Sequence, residues 1–194
     1  MTVQGVAPGY GDVWLAQPGV VKVLVDVAFA PQTPEGVAYG TQESAGGRAV
    51  TGDTVILHRD RSEQWVTGGK RKVEIIVNGQ AVASRIVSAD GSIHHLVFDL
   101  PIEESSWVAV RQFPQVHTNP VNVMIAGQPI RASANSARWC QEMTRLLWKN
   151  RAGKISDAER PAAKAAFDHA LATLAKIEAE AEARSDVKES ISIP

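Results

Sequence analysis

The sequence has few of the features that announce a reaction or a compartment. It contains one cysteine, Cys140, so no disulfide can form within the chain. The metal-binding spacings His-x-His and His-Glu-x-x-His do not occur, and no stretch approaches the roughly 18 apolar residues that a membrane helix needs. Residues 1–20 lack the basic and apolar segments of a signal peptide. We therefore expect a soluble, untargeted chain, cytoplasmic by default, that is held together by packing.

An excess of charge of either sign is also lacking. Twenty basic and 21 acidic side chains give a formal net charge of −1, and the two signs are interspersed. Binding of nucleic acid or of an anionic membrane normally requires a basic face, so neither is expected as a partner. At 194 residues, 44% of them hydrophobic, the chain is long enough for one domain with a smaller appendage.

The first two thirds of the chain carry the patterns of β-strands. Apolar and polar residues alternate over residues 20–29, and Asn78-Gly79 between two apolar runs predicts a two-residue hairpin. Further strands are predicted at residues 54–58, 92–100, 107–113 and 121–125, with Pro101 ending the second of these. Seven or eight strands at about 10-residue spacing predict an antiparallel, immunoglobulin-like β-sandwich over residues 1–132, interrupted by a long loop at residues 30–52.

After Arg131 the hydrophobic period becomes helical. Ser133 or Ser136 can cap a first helix, and Ser156 with Glu159 has the spacing of a capping box before a second one. We predict an antiparallel helix pair over residues 133–184, packed on or beside the sandwich, and a frayed tail at residues 185–194. The predicted buried face of the first helix consists of Trp139, Met143, Leu146 and Leu147.

The loop between the last two predicted strands holds the polar tetrad His117-Thr118-Asn119-Pro120. Thr and Asn side chains commonly satisfy backbone groups in turns, and Pro120 favours an extended Asn119. One interpretation is therefore a hydrogen-bonded turn that pins two strands together. The other is a surface that contacts a ligand or a partner domain.

Two further hypotheses come from scattered residues. Trp14 and Trp65 lie near predicted loops, where their rings can stack on sugars, so a carbohydrate-binding module is one alternative. A small metal-dependent hydrolase is another, with His58, Asp60, His94 and His117 as its ligands. His94 and His95 are adjacent on a predicted strand, so they are expected on opposite faces. No nucleophile motif surrounds Ser105 or Cys140.

Several motifs in one order resemble the C-terminal region of CehA/McbA-type metallohydrolases, which belong to the PHP (polymerase and histidinol phosphatase) superfamily. The resemblance covers about residues 73–148, and residues 58–61 are similar more loosely. Gln128 replaces a residue that is more often basic in the family. The matching motifs are Ser105-Ser106-Trp107-Val108-Ala109-Val110-Arg111, Pro114, His117-Thr118-Asn119-Pro120, Gly127, Pro129-Ile130-Arg131-Ala132-Ser133, Ser136-Ala137 and Trp139-Cys140.

In that family an N-terminal barrel binds the catalytic metals, and the resembling region is a β-sandwich with helices that follows it. The barrel has no counterpart in this sequence, so the resemblance implies a non-catalytic accessory domain that partners a catalytic hydrolase domain or subunit. No cofactor or metal is expected in this chain, since the divalent metal belongs to the missing domain. The predicted interaction surface consists of His117, Thr118, Asn119, Arg111, His58 and Arg61.

Overall fold

The computed structural model describes residues 1–34, 65–112 and 116–191. Contacts between residues divide the chain into two compact units, Met1–Ile130 and Arg131–Pro194. In the described residues the first unit consists of strands and the second of helices. The prediction of a mainly β protein with two C-terminal helices is confirmed at this level. No helix in these ranges is long and apolar enough to span a membrane.

Eleven strands are assigned in the described part of the first unit. They are β1 (Thr2–Val3), β2 (Val13–Leu15), β3 (Gly19–Ala28), β4 (Gln32–Pro34), β5 (Trp65–Thr67), β6 (Lys70–Val77), β7 (Gln80–Ser88), β8 (Ile93–Ile102), β9 (Ser106–Gln112), β10 (Val116–His117) and β11 (Val121–Ile125). One sheet has the order β1-β3-β8, a second has the order β2-β11-β9-β6-β7 with β10 also paired to β9, and β4 pairs with β5. All of these pairings are antiparallel except that of β2 with β11.

Apolar and polar side chains alternate along the strands, so that one face of each sheet is buried in a shared apolar core. Along β3, Val21, Val23 and Val25 are buried, whereas the alternating residues Lys22, Leu24 and Asp26 are exposed. The same core cluster includes Phe98 and Leu100 of β8 together with residues of the second sheet, namely Val73, Ile75, Val108, Val110, Val121 and Val123. The period of two that predicted the strand at residues 20–29 thus also identified its buried face.

Two predictions about proline-containing segments need correction. Strand β8 continues through Pro101, which is paired with Val20, and ends at Ile102. Because β8 is at an edge of its sheet, a missing N–H on its outer side costs no ladder hydrogen bond. The segment expected to be a loop from residue 30 includes strand β4, where Pro34 favours an extended residue before it. The rest of that loop and the strand predicted at residues 54–58 lie outside the described residues.

The hairpin at Asn78-Gly79 is confirmed. The φ angles of Asn78 and Gly79 are 52° and 89°, as a type I′ turn requires at both central positions. Val77 pairs directly with Gln80 on the returning strand. The Asn78 side chain also accepts a hydrogen bond from the Trp107 amide at 3.1 Å and donates one to the Ser106 hydroxyl at 3.0 Å. The turn therefore also fixes the first residues of β9.

The second unit contains the helices α1 (Ala134–Arg151) and α2 (Arg160–Ile191). Ser133 caps α1 by accepting a hydrogen bond from the Ser136 amide at 3.1 Å. Helix α2 continues to Ile191, through residues for which a frayed tail was expected. No glycine or proline interrupts residues 162–191, so nothing in the sequence breaks the helix before that point.

The predicted buried face of α1 is wrong. Trp139, Met143, Leu146 and Leu147 are exposed, and the buried residues of α1 are Ala137 and Gln141. Ala137 is small enough to allow close approach, and its neighbour Arg138 donates hydrogen bonds to Glu178 and Glu182 of α2 at 2.8 Å each. Further along, the rings of Trp148 and Phe167 lie 5.0 Å apart at 53°. Small and polar side chains near the start of α1 therefore face α2, and Trp148 near its end makes an aromatic contact with it.

This orientation predicts unequal costs for two substitutions in α1. Trp148→Ala should lower the free energy of unfolding by about 2 to 3 kcal/mol, because it removes a half-buried aromatic contact. Leu146→Gln should change it by no more than about 0.5 kcal/mol, since the residue is exposed and the two side chains have similar helix propensity. Urea unfolding followed by far-ultraviolet circular dichroism measures both. A larger cost for Leu146→Gln than for Trp148→Ala would contradict the observed orientation.

Candidate functional site

Strand β9 presents two chemically different faces. Val108 and Val110 point into the core and are buried. Trp107, Ala109 and Arg111 alternate with them and share the opposite face of the sheet. β6 runs along one edge of β9, while β11 and β10 share the other edge. The central position of β9 makes this outer face a rigid support.

The polar tetrad forms the connection between β10 and β11. The Thr118 amide donates to the Val110 carbonyl at 2.9 Å, and the Thr118 hydroxyl accepts from the Val110 amide at 3.1 Å. β10 and β11 both pair with β9, and the ladder along this edge of β9 is interrupted between them. At the interruption the threonine hydroxyl takes the place of a backbone carbonyl as the acceptor, just ahead of Pro120, which has no N–H. This part of the tetrad fits the structural interpretation, a turn that pins strands together.

His117 and Asn119 have less to do in the fold. His117 pairs with Arg111 through the backbone, and its Nδ1 lies 3.3 Å from the Thr118 carbonyl oxygen. Both side chains are exposed. In the part of the chain that the structure describes, neither the His117 Nε2 atom nor the Asn119 amide has a hydrogen-bond partner. These two groups can therefore bind something outside the chain.

A cavity of about 490 Å³ lies on this face of the sheet. Ile76, Trp107, Ala109 and Pro120 contribute apolar surface, and Ile76 and Ala109 are themselves buried. Its polar lining comes from Arg111, His117, Thr118, Asn119 and Asn122. A volume of several hundred cubic ångströms, mostly apolar walls and a few converging polar groups are typical of a small-molecule site.

A buried carboxylate holds one wall of the cavity in place. Glu74 of β6 is opposite Arg111, whose Nε and Nη2 atoms both donate to Glu74 Oε2 at 2.9 and 2.7 Å. Lys72 Nζ lies 2.7 Å from the other oxygen, Oε1. Burial by itself raises the pKa of Glu74, but the hydrogen bonds and charges of Lys72 and Arg111 outweigh it and hold this pKa below its ordinary value. Glu74 is thus a structural anion and a weak base.

Ser105, just ahead of β9, and Ser106, its first residue, use their hydroxyls in hydrogen bonds with the backbone. The Ser105 hydroxyl donates to the Gln128 carbonyl at 2.6 Å and accepts from the Ile125 amide at 2.9 Å. The Ser106 hydroxyl donates to the Glu104 carbonyl at 2.8 Å. Both residues are buried. The two serines therefore have a structural role, because their hydroxyls bind backbone groups at the start of β9 and the end of β11.

The remaining candidate residues are not all described. His58, Asp60 and Arg61 lie outside the described residues, as does the side chain of Trp65. His94 belongs to β8 of the three-stranded sheet, with its Nε2 atom 2.9 Å from the Ser88 carbonyl oxygen, and His117 belongs to β10 of the other sheet. Among residues 1–34, 65–112 and 116–191, no three histidine, cysteine, aspartate or glutamate residues are grouped so that they could hold a metal ion.

Sequence reasoning identified Arg111, His117, Thr118 and Asn119, which the structure brings together. It missed Asn122 and Ile76 and assigned Trp107 to ordinary packing. The alternation of side chains along β9 could have identified Trp107, since it places Trp107 on the same face as Arg111 and on the opposite face from Val108. Asn122 is the register partner of Trp107 across β9 and β11, which no local pattern reveals.

Comparisons of the chain with protein-family models, with curated proteins and with solved structures returned no match. The resemblance to CehA/McbA-type metallohydrolases is therefore a prediction.

The buried ion cluster predicts a pH dependence of stability. Because folding lowers the pKa of Glu74 below its reference value of 4.5, its contribution is fully present above that value and is lost as the pH falls through the lowered pKa. At neutral pH, Glu74→Gln should reduce the free energy of unfolding by about 1 to 3 kcal/mol, since charged hydrogen bonds from Lys72 and Arg111 are lost. The difference between wild type and variant should shrink below pH 4.5.

The matched control is Asp99→Asn, which breaks the exposed ion pair between Asp99 and Lys22. Its cost should stay below about 1 kcal/mol at every pH, as is usual for exposed pairs. Denaturant unfolding of both variants across this pH range measures the effect. An equal cost for the two substitutions at neutral pH would contradict a structural role for Glu74.

Proposed function

We propose that this chain is a non-catalytic accessory domain, an immunoglobulin-like β-sandwich followed by a helix pair, that serves a metal-dependent hydrolase of CehA/McbA type. The observation that carries the proposal is the cavity on the outer face of β9. It combines apolar walls with polar groups of His117 and Asn119 that have no hydrogen-bond partner among the described residues, and most of its lining comes from the motifs that resemble the family. In this proposal the cavity binds a ligand and carries out no reaction.

The shared core supports the sandwich. Valines of β3 and apolar residues of β8 belong to one cluster with residues of β6, β9 and β11. Two mainly antiparallel sheets that bury one face each against a common core have the architecture of a sandwich. The exposed polar residues Lys22, Asp26 and Asp99 on the other face of β3 and β8 fit the same arrangement.

The chemistry of the cavity favours binding over proton transfer. The carboxylate of Glu74, which holds the lining residue Arg111, is paired with two cations and has a lowered pKa, so it is a poor general base. The hydroxyl of Thr118 is bonded to the backbone of β9. What is left in the cavity is a set of hydrogen-bonding groups on a firm apolar support, which suits recognition.

The proposal predicts that the purified chain has no hydrolytic activity of its own. Model phosphodiesters and carboxylic esters incubated with the chain and Mn²⁺ or Zn²⁺ should not be turned over, and a chelator should change neither this result nor the melting temperature. An authentic metal-dependent phosphodiesterase in the same assay supplies the positive control. Turnover that a chelator abolishes would refute the proposal.

A further inference from the structure

We infer that the cavity binds a neutral oligosaccharide, with one sugar ring stacked on Trp107 and the hydroxyls of this sugar and the adjoining one bonded to Asn122, Asn119 and His117. The inference rests on the proposed function, because it names the class of ligand that the accessory domain binds. The argument has four parts: the rigidity of the aromatic platform, the hydrogen-bonding groups beside it, the local charge, and a second tryptophan on the same face.

The platform is firmly held. The Trp107 amide donates to Asn78 Oδ1 at 3.1 Å, and the Trp107 carbonyl accepts from the Asn78 amide at 3.1 Å. Beside the indole ring, Ile76 and Ala109 are buried. Trp107 itself is half-buried, so part of its surface is left accessible in the cavity. A flat apolar ring on a backbone that is held in this way offers stacking area, and only its two side-chain torsions remain to be ordered.

The polar groups beside the ring suit hydroxyls. A primary amide presents two donors and one acceptor side by side, and adjacent hydroxyls of a sugar can both donate and accept. In the described part of the chain the Asn119 amide and the His117 Nε2 atom have no partner. Asn122 donates to Asp12 through its Nδ2 atom at 3.0 Å, which leaves its carbonyl oxygen able to accept. Three residues that line the cavity together with Trp107 thus provide both donors and acceptors.

The charge of the site favours a neutral ligand. Arg111 lines the cavity, but two of its nitrogens are bound to Glu74, which also pairs with Lys72. Asn122, another lining residue, is bonded to the carboxylate of Asp12. A strongly anionic ligand would need a cation that is not already committed to a carboxylate. A neutral polyol needs only the hydrogen bonds and the ring.

A second tryptophan lies on the same face of the sheet. Trp14 of β2 pairs with Met124 of β11, which is two residues from Asn122, and Asn122 pairs with Trp107. Side chains two residues apart, or directly paired, share a face, so Trp14 and Trp107 do as well. Strand spacing and rise place their Cα atoms roughly 12 Å apart. Trp14 is 66% exposed, so a chain of sugars leaving the cavity along this direction meets a second ring.

The test is a glycan array of neutral and uronic acid-containing oligosaccharides, probed with the full chain, followed by calorimetric titration of a neutral oligosaccharide that binds. Trp107→Ala should weaken binding at least about tenfold, Trp107→Phe should restore most of it, and Asn119→Ala should weaken it about 2- to 10-fold. Trp14→Ala should weaken binding of long oligosaccharides only. Trp139→Ala, which removes an exposed tryptophan of α1, should have no effect.

Melting temperatures of all variants identify any that fail to fold, and Asn119→Ala, at an exposed position, tests the site even if Trp107→Ala unfolds. No neutral oligosaccharide bound, binding restricted to the acidic oligosaccharides, or binding that survives both substitutions would overturn the inference. If the chain is inactive but binds no sugar, the inference fails and the accessory function stands. Chelator-sensitive turnover overturns the accessory function whether or not a sugar binds.

Discussion

The alternation of side chains along β9 governs both the stability of the first unit and its candidate site. Val108 and Val110 are buried in the core, while Trp107, Ala109 and Arg111 between and beside them line the cavity on the other face. Because successive residues of a strand point to opposite sides, the site cannot shift without moving the core residues. Pairing on both edges of β9 leaves its backbone little freedom. The geometry of the cavity therefore follows from the packing of the core behind it.

The hydrogen-bond ladder on one edge of β9 is interrupted, and the residues at the interruption form one wall of the cavity. β10 and β11 pair with different parts of the same edge, and Thr118 bridges the gap with its amide and its hydroxyl. Asn119 and Pro120 lie outside either strand and contribute to the cavity lining. The two interpretations of the tetrad are thus compatible, since Thr118 serves the fold while His117 and Asn119 face the cavity.

Within each unit, charged and polar side chains connect neighbouring elements, but in different ways. In the first unit a single buried carboxylate, Glu74, collects Lys72 and Arg111 and so positions one wall of the site. In the second unit Arg138 donates to two glutamates of α2 and its neighbour Ala137 is buried, while Trp139, Met143, Leu146 and Leu147 are exposed. The spacing of these apolar residues predicts an amphipathic helix, yet it does not by itself say which face meets the neighbouring helix.

The sequence by itself determined the local elements whose signals are short-range: the strand at β3 and its buried face, the hairpin at Asn78-Gly79, and the cap of α1 at Ser133. It also identified four members of the site, because His117, Thr118 and Asn119 are consecutive and Arg111 is on the strand before them. Only the tertiary structure decided that Asn122 is beside Trp107, that Glu74 meets Arg111, and that Pro101 is on an edge where it is tolerated. Each of these depends on which strands are neighbours, and pairing between residues that are distant in the chain is set by the packing of the whole unit.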